Sequence, residues 1–420
     1  MIIKNKTLLG SYNPAFFHIA LEAKEELIMS NLLNCPVYLH EYIHFIQDIT
    51  TIQGLTNIDV FNQDMRVAIH NIYNHEDKAF EVPVKHIING EEVMPYFKFV
   101  NQLNGDFGEI PIINNIIYTK LQKAPKLDKY PLVDELCIRV MDSNNEIHDF
   151  SFGAFAIKES MAYIMEQNLS SNWKKSPDFP YNIALKLTEH IFPELAKEKL
   201  NILVLCDISL QSLNSGAVFY YILTKLKNEN IVPQKPEDIY DIFYPSQIDE
   251  SNKTLEETII EAFNCSKDKL LSYFNDKTYF KNIRNWIEYT LSMALRLRLE
   301  DRYFLLKLSK ESISSNNTIL ESLHFFLGTP VISNLLGNSI SVINGKEIDL
   351  KYFIAMSQIR SLFEMGTCEC SLYGICKKHG KFVDENCLKS PWMRCEEKEK
   401  KCYYSTLWKH WGLQGYIPKL

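Results

Sequence analysis

The sequence predicts an α+β protein that is predominantly helical, and three observations carry that expectation. Apolar residues recur at mostly helical spacing from about 180 to 365, the first thirty residues hold short strand-like runs, and a hairpin pattern lies near 136–150. The chain of 420 residues is 46% hydrophobic and 23% charged, the composition of an ordinary globular protein with room for two or three domains. Its formal net charge of −7 argues against a chain-wide affinity for nucleic acid. The amino-terminal stretch lacks the apolar core of a secretory signal, and no run approaches the ~18 apolar residues of a membrane span. Together these predict a cytoplasmic protein without membrane attachment.

In chain order, Phe16–Leu21 reads as a strand. A helix is expected to start at Pro36, whose fixed φ and missing N–H suit a first turn. It should run to about Gln53, with Gly54 as a left-handed cap. A second helix is expected over about 58–73, and 74–135 is irregular, broken by Pro, Gly and Asn. Leu136–Met141 and Glu146–Phe150 flank the turn-rich Asp142–Asn145 as a hairpin, which leads into a helix over 153–168. Thr254 and Glu257 form a capping-box pattern, and Asn344-Gly345 marks a two-residue hairpin turn. Linker signals at 170–180 and 231–236 are weak, and no internal repeat is present. The expected organisation is 1–175 as a catalytic domain with a small sheet, 176–365 as a helical domain, and 366–420 as a cysteine-rich element.

The helix beginning at Pro36 carries an unusual polar stripe. His40, Glu41, His44, Gln47 and Asp48 fall on one face, without a lysine or arginine, while the rest of the helix is apolar almost all round. A solvated face normally mixes both signs of charge, so this one is expected to be buried with partners. Two histidines four apart can direct their ring nitrogens at one metal ion. Glu41, one position after His40, sits beside that point and could take a proton from a metal-activated water. A hydrolytic site of this kind needs a third ligand. Glu159 is the first choice, because its helix is apolar on nearly every side and a lone buried carboxylate needs a positive partner. Glu166, His148, His190 and His70 are the rivals. Asp48 reads as an orienting or surface group, and Tyr163 as packing or as a donor to a developing oxyanion.

His40-Glu41-Tyr42-Ile43-His44 resembles the active-site helix of the zincin metallopeptidases, and Glu159-Ser160-Met161-Ala162 resembles the second-helix motif of their gluzincin branch. The metzincin extension is absent, since Gln47 and Thr50 stand where that branch needs Gly and His. The resemblance implies a zincin-like core, a catalytic zinc held by His40, His44 and Glu159, and Glu41 activating the attacking water. It implies hydrolysis of peptide bonds in a protein substrate. A second reading keeps the scaffold without catalysis, as a regulatory protein-binding module.

Six of ten cysteines crowd the tail, where Cys368, Cys370, Cys376, His379, Cys387, Cys395 and Cys402 form a dense potential ligand set, with His410 as an eighth. One or two structural zinc ions, an iron–sulfur cluster, and disulfides or redox thiols all remain open for it. The tail's aromatics and lysines could stack on nucleic acid, but interleaved glutamates dilute the charge and packing against the helical domain is expected instead. No P-loop, G-x-G-x-x-G or G-x-S-x-G supports a nucleotide or serine-hydrolase reading.

Overall fold

The computed structural model describes residues 10–73, 77–84, 87–88, 91–92, 94–127, 130–169, 175–244, 253–310, 318–396 and 402–420. Part of the expected 170–180 linker therefore lies outside the described residues. The architecture is mixed α+β and mainly helical. Among the described residues no helix is long and apolar enough to cross a membrane.

The chain opens with a hairpin of β1 (Gly10–Asn13) and β2 (His18–Leu21). Ala15 and Phe17 have φ of 65° and 44°, so the expected strand over Phe16–Leu21 begins two residues late, after a turn that forces its own backbone geometry. Helix α1 (Pro36–Thr50) follows, with proline in its first turn as expected. It ends at Thr50 rather than Gln53, and α2 (Ile52–Tyr73) starts at once. Thr51 is the break: it is extended, and its hydroxyl accepts from the Gly54 N–H as a helix cap. Gly54 is not a left-handed cap. It sits inside α2, where a Cβ would stand 2.3 Å from the Asp48 Cα, so glycine is required by the close approach of two backbones.

The segment expected to be irregular contains the longest strand, β3 (Ile113–Lys123), which pairs with β4 (Asp134–Asp142). β4 and β5 (Ile147–Phe152) form the expected hairpin. β3 escaped notice because most of its side chains are exposed and its ladder is irregular near Asn114 and Ile117, which blurs the alternation. Helix α3 (Ala154–Leu169) matches its expectation. Then come α4 (Lys199–Ser209), a helix over Leu255–Tyr273 whose Thr254/Glu257 capping box is fully made, and α5 (Lys281–Glu300).

Strands β6 (Val331–Asn334) and β7 (Ser339–Ile340) return to the amino-terminal hairpin, giving a four-stranded sheet in the order β1-β2-β6-β7. β2 and β6 are parallel, with His18 opposite Val331. The Asn344-Gly345 turn closes a hairpin with φ of 50° and 71°, as a two-residue turn of this type requires. Helix α6 (Lys351–Met365) ends at Gly366 in the left-handed conformation, and α7 (Tyr403–His410) packs on it. One hydrophobic core runs through residues from 15 to 413, so all three expected segments share it.

Candidate functional site

Helix α1 lies in this core with Tyr38, Leu39, Tyr42, Ile43, Phe45, Ile46 and Ile49 each no more than 1% exposed. Only the polar stripe looks elsewhere. It faces α3, and between the two helices, β1 and α2 opens a cavity of about 1290 Å³ lined by His40, Glu41, His44, Asp48, Lys158, Glu159, Glu166 and Tyr181. The stripe is thus neither solvated nor buried in apolar packing. It forms the polar wall of a cleft.

His40, His44 and Glu159 converge there, each offering one ligand atom within 4.8 Å of the others. His40 Nε2 lies 3.2 Å from Glu159 Oε2, His44 Nε2 lies 3.4 Å from Glu159 Oε1, and the two Nε2 atoms are 3.1 Å apart. The far nitrogens are held from behind. His40 Nδ1–H donates to Glu166 Oε2 at 3.1 Å, and His44 Nδ1–H donates to Gln47 Oε1 at 2.8 Å. Gln47 is itself fixed by donating to the Lys158 carbonyl at 3.0 Å. With both Nδ1 atoms spent as donors, two imidazole lone pairs and a carboxylate point at one spot. Three acceptors at such distances repel unless a positive species sits among them.

The protonation states follow. Burial alone would depress His40, but its hydrogen bonds to Glu159 and Glu166 overcome that and push it up to about 10. Burial would raise Glu159, yet the His44 and His40 imidazoles hold its carboxyl far below the usual carboxylate range. A proton can therefore supply the positive charge, and a cation would have to displace it. Glu41 is 8% exposed, and burial raises its pKa against the opposing pull of His40 and His44. The Tyr12 backbone N–H also bonds this carboxylate, so β1 forms part of the site.

The remaining expected residues fall as follows. Asp48 is ion-paired to Lys158 at 2.7 Å. Tyr163 is buried and its hydroxyl accepts from the Ser176 N–H, a packing role. His148 pairs with Asp142 in the β4–β5 hairpin, and His70 and His190 are exposed. Glu166, a rival ligand, instead holds the back of His40. Sequence reasoning missed Tyr181, whose ring lies 5.9 Å from His40, and gave Gln47 no role beyond its place in the stripe.

In the tail, Cys370, Cys376 and Cys387 are buried, and none of the ten cysteines forms a disulfide. Their sulfurs and that of Cys402 lie within electrostatic reach of one another. His379 is exposed, and His410 meets Phe280 edge-on, with ring centroids 4.8 Å apart. Among the described residues no three tail ligands come within 4.8 Å of one another.

No family model matches the chain, and no solved structure matches it. Two curated proteins do. Each is a subunit of an aspartyl/glutamyl-tRNA(Asn/Gln) amidotransferase. That of Prochlorococcus marinus subsp. pastoris (strain CCMP1986 / NIES-2087 / MED4) is 30% identical over 179 residues, 39% of this chain. The protein of the same name from Prochlorococcus marinus (strain AS9601) is 26% identical over 178 residues, 40% of this chain. The match takes in 36% of each relative, so this chain spans only about a third of their length.

These relatives correct the reading drawn from the five-residue motif. Neither is named for peptide hydrolysis or for zinc, and the likeness runs over many more residues than a motif does. The zincin and gluzincin assignment is therefore withdrawn. With it go the peptidase activity, the regulatory zincin-like alternative, and the catalytic and structural zinc ions. The expectation against nucleic acid is corrected too, because both relatives carry tRNA in their names. What stands independently is the geometry of the side chains.

Proposed function

We propose that the cleft is the active centre of an enzyme of the amidotransferase class, acting on an acyl or amide carbon. The observation that carries this reading is the convergence of His40, His44 and Glu159 beside the buried carboxylate of Glu41 in one substrate-sized cleft. The class of reaction is taken from the relatives' name. His40, His44 and Glu159 would hold a divalent cation, with Glu166 and Gln47 orienting the two rings. Such an ion, when bound, polarises an acyl oxygen.

Glu41 accepts the proton of the nucleophile, an amine or water, as it adds to the acyl carbon. It then returns that proton to the departing group. A carboxyl whose pKa is raised by burial is suited to both halves of that exchange. Lys158 and Tyr181 lie on the cleft wall, where they can donate to an acyl oxygen. The relatives' name makes an aspartyl- or glutamyl-tRNA the first large substrate to try, with tRNA as a partner.

The test measures ammonia released from a side-chain amide such as glutamine, with and without added divalent cation. Glu41→Gln should lower turnover by about 10²–10⁴-fold while leaving Co²⁺ binding in the cleft intact. Undiminished release in that variant, or no release by the wild-type chain on any amide or aminoacyl-tRNA, overturns the assignment. Gel-shift titration with tRNA reads the partner separately.

A further inference from the structure

The helix Tyr373–Lys378 ends in a Schellman motif. The Lys381 N–H donates back to the Cys376 carbonyl at 2.9 Å and the Gly380 N–H to the Lys377 carbonyl at 3.3 Å, with Gly380 left-handed at φ of 64°. The residue after such a glycine commonly closes against the helix with an apolar side chain. Here it is Lys381, and all six residues of Lys377-Lys378-His379-Gly380-Lys381-Phe382 are exposed. Lysines in a last helical turn complement the helix dipole, which accounts for Lys377 and Lys378 but not for Lys381 or Phe382, beyond the helix end. Lys378 donates to the Asn338 side-chain oxygen. The acidic residues that follow are already occupied, Asp384 by Arg394 at 3.4 Å and Glu385 by Lys389 at 3.0 Å. In a chain of net charge −7, a fixed turn holding three lysines and no carboxylate is a local positive patch.

Phe382 supplies a second, independent feature. Its ring is 56% exposed, while the buried Arg394 guanidinium lies over it at 5.1 Å and donates to the Phe382 carbonyl at 3.1 Å. The ring is therefore held on one side and open to solvent on the other. Trp392, Tyr404, Trp408 and Trp411 of the tail, by contrast, are buried. The turn is anchored as well. A Cβ on Gly337, between β6 and β7, would stand 2.6 Å from the Gly374 carbonyl oxygen, so the start of the helix is pressed against the sheet whose β1 edge lines the cleft. Cations on a preorganised turn beside an open aromatic face match a phosphate backbone that carries an unpaired base. We propose that the turn 377–382 is a docking surface for RNA, with Lys377, Lys378 and Lys381 on backbone phosphates and Phe382 stacked on an unpaired base. This surface is separate from the cleft, and the choice of RNA rests on the reading of tRNA as a partner.

The experiment titrates the full chain against a fluorescently labelled tRNA transcript by anisotropy, at salt from about 50 to 200 mM. The chain carrying Lys377→Ala, Lys378→Ala and Lys381→Ala should bind at least about tenfold more weakly, and its slope of log affinity against log salt should be shallower by about 2–3. Arginine at the same three positions should restore the slope. Phe382→Ala should weaken binding by about tenfold with the slope unchanged, and Phe382→Tyr should bind as the parent does. In the unsubstituted chain, bound tRNA should protect Lys377, Lys378 and Lys381 from acetylation, a readout that needs no variant. Retained affinity and slope in the triple alanine chain, with the three lysines unprotected, places the RNA elsewhere and overturns the proposal. Absence of any tRNA binding overturns the tRNA partner with it, while ammonia release still reads the cleft by itself. Binding to phosphatidylserine vesicles that needs these lysines, when tRNA binding does not, makes the surface a lipid contact and equally overturns it.

Discussion

Two side chains fix the orientation of the histidines that line the cleft. Glu166 and Gln47 each occupy the Nδ1 side of a histidine, leaving both Nε2 atoms directed at Glu159. Glu166→Gln keeps an acceptor oxygen but loses its charge, and Gln47→Leu removes the acceptor altogether. Each should weaken Co²⁺ binding in the cleft by about 10–100-fold in a spectrophotometric titration, with the larger loss in Gln47→Leu. The convergence of His40, His44 and Glu159 was legible in the sequence because each broke a local rule: a lysine-free polar stripe on an apolar helix, and a carboxylate on a helix with almost no polar face. Tyr12 and Tyr181 obeyed every local rule, and only tertiary packing brings them to the cleft.

At the scale of elements, α1 is anchored at its end by a buried ion pair. Arg298 of α5 and Asp207 of α4 are both fully buried and joined by two hydrogen bonds of 2.8 and 3.0 Å. Arg298 also donates to the Thr50 carbonyl at 3.0 Å, satisfying a helix end whose last carbonyls lack partners. Tyr240 donates to the same aspartate. Arg298→Met should cost about 3–5 kcal/mol in urea unfolding, because Asp207 is left charged and buried. Adding Asp207→Leu should recover much of that loss. The α1–α2 junction gives a sharper test of backbone packing. Gly54→Ala places a methyl group against the Asp48 and Gln47 backbones and should cost about 1–3 kcal/mol or more, with reduced cation affinity as α1 shifts. Helix existence was well read from apolar periodicity. The error at Gly54 arose because glycine serves both caps and close approaches, and the sequence does not separate them.

Across the whole molecule, acid sensitivity follows from His324. It is 8% exposed, accepts from the Tyr38 hydroxyl at 2.8 Å, and lies against Tyr42 of the site helix with ring centroids 4.2 Å apart. Burial lowers its pKa from 6.5 to about 3. Between those values the unfolded chain binds a proton that the folded chain refuses. Its contribution to stability is therefore complete above about pH 6.5 and is lost progressively as pH falls towards about 3. The melting temperature should drop between pH 7 and pH 4.5, and His324→Phe should flatten that part of the curve. The predominance of helix was visible in composition and spacing. The sheet that closes around α1 was not, because β6 is four residues long and pairs with a strand more than 300 positions away.

That distant pairing has a consequence during synthesis on the ribosome. β2 emerges early, but its parallel neighbour is made only after Val331, and Ala79–Glu81 waits still longer for Ile417–Lys419. The nascent polypeptide must carry unfinished strand edges until those distant partners are made, exposed to chaperones and to unwanted pairing. The sheet beside the histidine pair is completed only once the strand beginning at Val331 has been made.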